Sequence, residues 1–332
     1  MRLWASIVGI PLLVLFAIDR AIVWYQPHWQ WVAKEIPRQT YDPYRVEAQL
    51  RTIEPGRHNV LILGDSTSEA SIDPKQLDRR FADQGLEFTI LSIGGAPTVS
   101  FGLLANAVAA LDPAAVVVFV SPYTLRSRGI YPHIHTYDAR TVPALFTLEE
   151  ILDHLPFHLS GLAGQAHVLV RHRRPMRHMA AIYLGLDDWS GYASERIQRK
   201  LKMLRNKIDS PLMTWMRDQA KAPDVYPNPN TRALELLARR LAGDRLVVVE
   251  ASIHPLFGLL LRPQRLTAFR RTVEQIAAEQ PLVFLDAATM PVLEEADFED
   301  HSHLNARGRR RFTEALANHL EKVLARSPDQ TL

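Results

Sequence analysis

The sequence has no cysteine. That absence excludes structural disulfides, thiolate metal sites and a cysteine nucleophile. It leaves the compartment open, because an oxidising space permits disulfides without requiring them. An excess of one charge is also missing: 39 Lys and Arg stand against 36 Asp and Glu, for a formal net charge of +3. So small an excess does not imply a nucleic-acid partner, and none is expected. No internal repeat or low-complexity tract is present, which excludes a repeat architecture. What remains is a globular composition, 47% hydrophobic and 23% charged over 332 residues. That length holds one large domain or two ordinary ones, with a sizeable core.

After Arg2 the chain runs from Leu3 to Ile18 without a charge. The run is shorter than the roughly 20 residues that a bilayer core requires. Counted through Tyr25 it is long enough, with Asp19 and Arg20 in its outer third. At that depth the two charges would snorkel towards headgroups, and Trp24, Tyr25 and Trp29 suit an interfacial belt. Residues 1–25 are therefore expected to be an uncleaved membrane anchor, with the bilayer met through residues 3–25. A cleaved signal peptide is one alternative, though no clear A-x-A site follows the run. A buried helix is another, though Arg2 leads directly into the run. With Arg2 held inside, the anchor is a single pass through the cytoplasmic membrane and the rest of the chain lies outside the cytoplasm. Residues 26–56, rich in Pro and aromatic side chains, read as a stalk.

The body, about residues 57–326, alternates short apolar runs with helical patterns. The runs are Asn59 to Leu63, Phe88 to Ile93, Ala115 to Val120, Leu246 to Glu250 and Leu282 to Leu285. They are continuous rather than alternating, as in strands covered on both faces of a parallel sheet. Helices are expected over about 75–84, 100–111, 231–242, 264–279 and 306–325. The expected fold is α/β: a three-layer, doubly wound, five-stranded parallel sheet of flavodoxin-like type.

Between the third and fourth strands, residues 125–230 form an insertion that the sheet does not need, and it reads as helical. Thr147, Leu148, Glu149 and Glu150 have capping-box spacing. Arg171, His172, Arg173, Arg174, Arg177 and His178 form a basic cluster that suits either a solvated helix face or an anionic polymer.

Two ends of the expected sheet carry the chemistry. The first strand ends in Gly64, Asp65 and Ser66, at the carboxyl end where α/β sheets bind their ligands. Ser66 there would point into the crevice with its own N–H free for an oxyanion. An N-capping serine is the plainer reading of the same tripeptide. Near the other end of the chain stand Asp300, His301, Ser302, His303, Leu304 and Asn305. A serine nucleophile needs a base, and the base needs an orienting acid. His303 with Asp300 three residues earlier supplies both from one loop. His301 is the rival base, and an ordinary N-cap loop ending in Asn305 is the plain alternative.

These residues resemble the SGNH or GDSL hydrolases. The likeness is carried by Val60 to Ser66 and by the Asp300-x-x-His303-Leu304-Asn305 block, with the strand plan agreeing over 57–124 and 231–325. It implies catalysis by Ser66, Asp300 and His303, and an oxyanion hole built from the N–H groups of Ser66 and a glycine after the second strand. Gly95 is the first choice and Gly94 the second. The family's Asn after the third strand is missing; Ser121, Pro122, Tyr123, Thr124, Leu125 and Arg126 stand there instead. Ser121, Tyr123 and Thr124 are candidate substitute donors. Asp65 and His254, the latter in a strand-end His-Pro element, are expected to border the site.

The departure points to an N-terminally anchored subgroup similar to the D-alanyl-transfer protein of teichoic-acid synthesis and the acetyltransferase components of alginate synthesis. What the resemblance implies is an extracytoplasmic O-acyltransferase with a polysaccharide acceptor, no cofactor, no metal, and a multi-span membrane acyltransferase as partner. The alternatives are an esterase or deacetylase of the same fold and a non-catalytic scaffold that binds glycan or a partner.

Overall fold

The computed structural model describes residues 10, 13–14, 16–21, 42–126, 136–167, 226–241, 245–255, 263–300 and 302–325. Five strands, β1 (Asn59–Gly64), β2 (Glu87–Ser92), β3 (Ala115–Val120), β4 (Leu246–Glu250) and β5 (Leu282–Leu285), make one sheet in the order β2-β1-β3-β4-β5. Every pairing is parallel. The chain starts in the middle and winds outward both ways, so the crevice at the carboxyl ends of β1 and β3 is the switch point.

The continuous apolar runs are explained by cover on both faces. Leu61, Leu63, Val116, Val118 and Val248 point into one layer, and Val60, Ile62, Val117, Val247 and Val249 into the other. The first layer holds α1 (Asp42–Thr52), α4 (Val99–Gly102), α5 (Ala105–Ala110), α6 (Val142–Leu145), α9 (Pro229–Leu241) and α10 (Pro263–Glu279). The second holds α2 (Ser66–Ser71), α3 (Pro74–Arg80) and α11 (Ala306–Leu324). The stripe expected on α11, Phe312, Leu316, Leu320 and Leu324, is buried there.

Three expectations are corrected. The stalk assigned to 26–56 is not a linker over 42–52: α1 buries Val46 and Leu50 in the first layer. Pro43 at its start diluted the apolar signal, although Pro is well placed in the first turn of a helix. The helix expected over 100–111 is two short ones, α4 and α5. The helix expected over 75–84 ends at Arg80, before a 3-10 turn over Ala82–Gln84.

The insertion is helical where it is described. It contains α6, α7 (Leu148–Asp153) and α8 (Leu155–Ala166), and α7 starts with the expected Thr147–Glu150 capping box. Its two ends are stitched together. Asn228 Nδ2 donates to the Leu125 carbonyl at 3.0 Å and Asn230 Nδ2 to the Arg126 carbonyl at 2.7 Å. The insertion therefore leaves and rejoins the sheet at one point, and β3 and β4 pair as if it were absent. The basic cluster at 171–178 lies outside the described residues. Most of the proposed anchor does too. Among the described residues no helix is long and apolar enough to cross a membrane.

Candidate active site

The nucleophile position is built by β1. Gly64 ends the strand, and a side chain there would sit 2.7 Å from Ser68 Cβ and 2.9 Å from Phe119 Cβ. Only glycine lets the chain turn this close to β3. Asp65 then caps α2 by accepting from the Thr67 N–H at 2.9 Å, and its carboxylate also takes the Thr67 hydroxyl. Ser66 is the first residue of that helix. The plainer reading of the tripeptide is thus half right: a capping residue is present, but it is Asp65, and the Ser66 hydroxyl is left for another partner.

That partner is His303. Its Nε2 lies 3.0 Å from Ser66 Oγ, and its Nδ1 lies 2.7 Å from Asp300 Oδ2. The three side chains form one line across 237 residues of sequence. The loop carrying them is also an N-cap loop. Asn305 accepts from the N–H groups of Arg307 and Gly308 and so starts α11. Capping and base presentation share one loop rather than compete for it. His301 lies outside the described residues.

The electrostatics suit a base. Burial alone would raise the Asp300 carboxyl, but the His303 hydrogen bond and charge, with the Ser302 and His303 N–H groups, outweigh it and hold the group at about 2. Asp300 is therefore an anion at any ordinary pH. Burial alone would lower His303, but the hydrogen bond and charge of Asp300, helped by the charges of Asp65 and Glu299, leave it raised above 6.5. Asp65 is pushed upward, by burial first, against its bonds from Thr67 and the charge of His303.

The glycine turn follows β2, next to the end of β1. The Ile93 N–H donates to the Gly64 carbonyl at 2.9 Å, which carries the β1–β2 ladder one step past the strands. Ala96 N–H closes the turn on the Ile93 carbonyl at 3.0 Å, and Gly95 takes φ +66°, a left-handed conformation that favours glycine. A side chain on Gly95 would meet nothing within 4 Å, so its backbone conformation alone demands glycine. Gly94 and Gly95 are both exposed.

The candidate substitute donors after β3 are used locally. The Ser121 hydroxyl oxygen accepts from the N–H groups of Tyr123 and Thr124, each at 3.2 Å. The Thr124 hydroxyl accepts from the Ser121 N–H at 2.8 Å and faces the Ser121 carbonyl. Both are buried. Both hydroxyls are thus engaged in closing this turn. Tyr123 stacks beneath the Arg265 guanidinium, 5.7 Å from its ring centre. His254 packs edge-on against Phe298, with ring centres 5.0 Å apart. Phe298 pairs with Leu304 across the loop that bears Asp300 and His303.

Sequence reading missed what holds this loop. Asp297 is fully buried; it accepts a charge-assisted hydrogen bond from Arg311 and forms an ion pair with Arg307, whose Nε lies 3.0 Å from Oδ1. Its carbonyl accepts the Asn305 N–H at 2.9 Å. Gly308 lies so close that a Cβ would stand 2.2 Å from that same carbonyl oxygen. Arg309 reaches the other way and donates to the Ala70 carbonyl in α2 at 2.9 Å. Helix α11 thus holds the His303 loop with Arg307 and Arg311, and the helix of Ser66 with Arg309. A signal was present: arginines crowded into the first turns of a helix oppose its dipole and need acceptors of their own.

Among the described residues no cluster of His, Asp and Glu suits a metal ion.

No family model matches the chain, and no curated protein matches it. Among solved structures the chain is similar to one from Streptococcus pneumonia, provisionally named a platelet activating factor, with 13% identity and a TM-score of 0.36 over 95% of this chain and 99% of that one. An overlap that loose carries no chemistry from one chain to the other. What can be stated of this protein is its own geometry: an α/β fold whose parallel sheet brings a serine, a histidine and an aspartate into one hydrogen-bonded line.

Proposed function

We propose that this chain is an SGNH-type serine enzyme that handles acyl groups, anchored through residues 3–25 and working outside the cytoplasm on a polysaccharide hydroxyl. The reading is carried by one observation, the 3.0 Å contact between Ser66 Oγ and His303 Nε2, with Asp300 on the other ring nitrogen at 2.7 Å. In the proposed reaction His303 takes the Ser66 proton as Oγ attacks an ester or thioester carbonyl. The tetrahedral oxyanion is met by the N–H groups of Ser66 and Gly95. His303 returns the proton to the leaving group, and acyl-Ser66 remains. A sugar hydroxyl, deprotonated by the same imidazole, then takes the acyl group and frees Ser66. The membrane anchor fits an acyl donor delivered at the membrane, for which a multi-span acyltransferase is the proposed source.

Hydrolysis uses the same three residues with water as the acceptor. A binding scaffold is the other reading, favoured by the buried Ser121–Thr124 turn where the family's oxyanion Asn is missing. A serine-directed fluorophosphonate separates enzyme from scaffold. It is expected to label the wild-type chain and to fail on Ser66→Ala and His303→Ala; labelling that survives His303→Ala sinks the enzyme reading. An acetyl ester supplied with and without oligosaccharide then separates transfer from hydrolysis, because acetylated sugar forms only in the first case.

A further inference from the structure

Helix α8 leaves most of its leucines outside. The residues it buries are His158, Gly161 and Gly164, with Phe157 half-buried beside them, and those it turns to solvent include Leu155, Leu159 and Leu162. The preceding α7 packs Ile151 on the core and leaves Leu148 and Leu152 outside, and these five leucines are between 42% and 72% exposed. The inward contact is close: a Cβ on Gly161 would stand 2.4 Å from the Tyr137 ring, so no larger residue fits there. An amphipathic helix of a water-soluble surface has its stripe the other way round. Small residues against protein and leucines outward is the arrangement of a helix whose outer neighbour is lipid.

The neighbourhood says which surface covers the leucines. Described residues of the N-terminal apolar segment meet the end of this helix: Arg20 donates to the Ala166 carbonyl at 2.8 Å, Asp19 lies 3.7 Å from His167 Nδ1, and Phe16 stacks edge-on with His167. That segment exposes Ile10, Leu13, Val14, Phe16 and Ile18. The two exposed apolar stretches therefore lie on elements that meet at the end of α8. The sequence that follows carries Arg171, Arg173, Arg174 and Arg177, a charge that favours anionic headgroups.

We infer that the leucine face of α7 and α8 lies in the bilayer interface, beside the N-terminal anchor, as a second membrane contact on anionic lipid. It rests on reading residues 3–25 as an anchor. A single tether alone leaves a domain free to swing, whereas a tether plus an interfacial face holds the domain against the membrane in one orientation.

The absence of cysteine makes the test clean. Leu152→Cys, Leu159→Cys, Leu13→Cys and Lys75→Cys, each exposed in the structure, are made in the full chain. Each is labelled with an environment-sensitive dye and reconstituted into vesicles of phosphatidylcholine and phosphatidylglycerol. Some vesicles carry spin-labelled acyl chains as quencher. Quenching at 152 and 159 at least twofold above that at 75, which lies on the far layer of the sheet, is expected. Quenching there equal to that at 75 overturns the inference; a blue-shifted but unquenched dye overturns it too, because protein then covers the leucines. Position 13 reports the anchor separately: quenching at 13 without 152 and 159 defeats the interfacial face and leaves the anchor standing. No quenching at any of the four defeats both.

Discussion

At the scale of the residue, His303 decides the pH behaviour. The proposed reaction needs its neutral form, and Asp300 with the nearby charges holds its titration above 6.5. Activity against an activated ester is therefore expected to rise with pH through a limb whose midpoint lies above 6.5. Asp300→Asn removes the charge that opposes burial, so the limb moves to lower pH. The same change releases the imidazole from its oriented tautomer, and the rate is expected to fall by about two to four orders of magnitude if the proposed reaction holds. A pH–rate profile of both proteins checks the two effects together. Gly95 offers a complementary test. A methyl group there meets open space, so Gly95→Ala imposes only the cost of a left-handed backbone, about 1–2 kcal/mol. The variant is expected to fold, melt slightly earlier and react with fluorophosphonate more slowly, because the amide proposed for the oxyanion has to tilt. An unchanged labelling rate would remove Gly95 from the oxyanion hole.

At the scale of the element, α11 is the frame on which both halves of the site hang. Three of the four arginines in its first turns hold the site: Arg307 and Arg311 grip Asp297 under the His303 loop, and Arg309 grips α2 under Ser66. Thr313 adds a further tie, accepting the Asp73 N–H at 3.0 Å. Gly308→Ala would push against the Asp297 carbonyl, a backbone atom with little room to yield. A loss of about 1–3 kcal/mol is expected from such overpacking, together with a slower fluorophosphonate reaction. Denaturant melts and labelling rates on the same variant measure both. Strands and long helices were the most legible part of the sequence. The third, fourth and fifth strands occupy the residues where the apolar runs stand, because a strand buried on both faces has no polar position to blur its ends. The short α4 and α5 share one helical pattern in the sequence, because a break over two residues leaves the apolar spacing nearly intact.

At the scale of the whole molecule, the sheet carries a large insertion without losing its pairing. The clasp of Asn228 and Asn230 on the carbonyls of Leu125 and Arg126 returns the chain to the point where it left. The first layer is completed from outside the alternating part of the chain by α1. Val46 is fully buried, so Val46→Ala is expected to cost about 1–3 kcal/mol in cavity and lost burial. A stalk residue would cost nothing measurable, and urea denaturation of the variant tells the two apart.

The sequence by itself determined the α/β class and the five strands, and it put forward Ser66, Asp300 and His303 as candidates. Those features are local: an apolar run, a glycine turn and a three-residue spacing each state their conformation within a few neighbours. Only the tertiary structure decided that Ser66 and His303 meet, that the hydroxyls after β3 close their own turn, that α1 belongs to the core, and that Asp297 secures the base loop. Each of these depends on groups far apart in the chain arriving at one place. Chain spacing does not report that, and close packing together with the pairing of buried polar groups does.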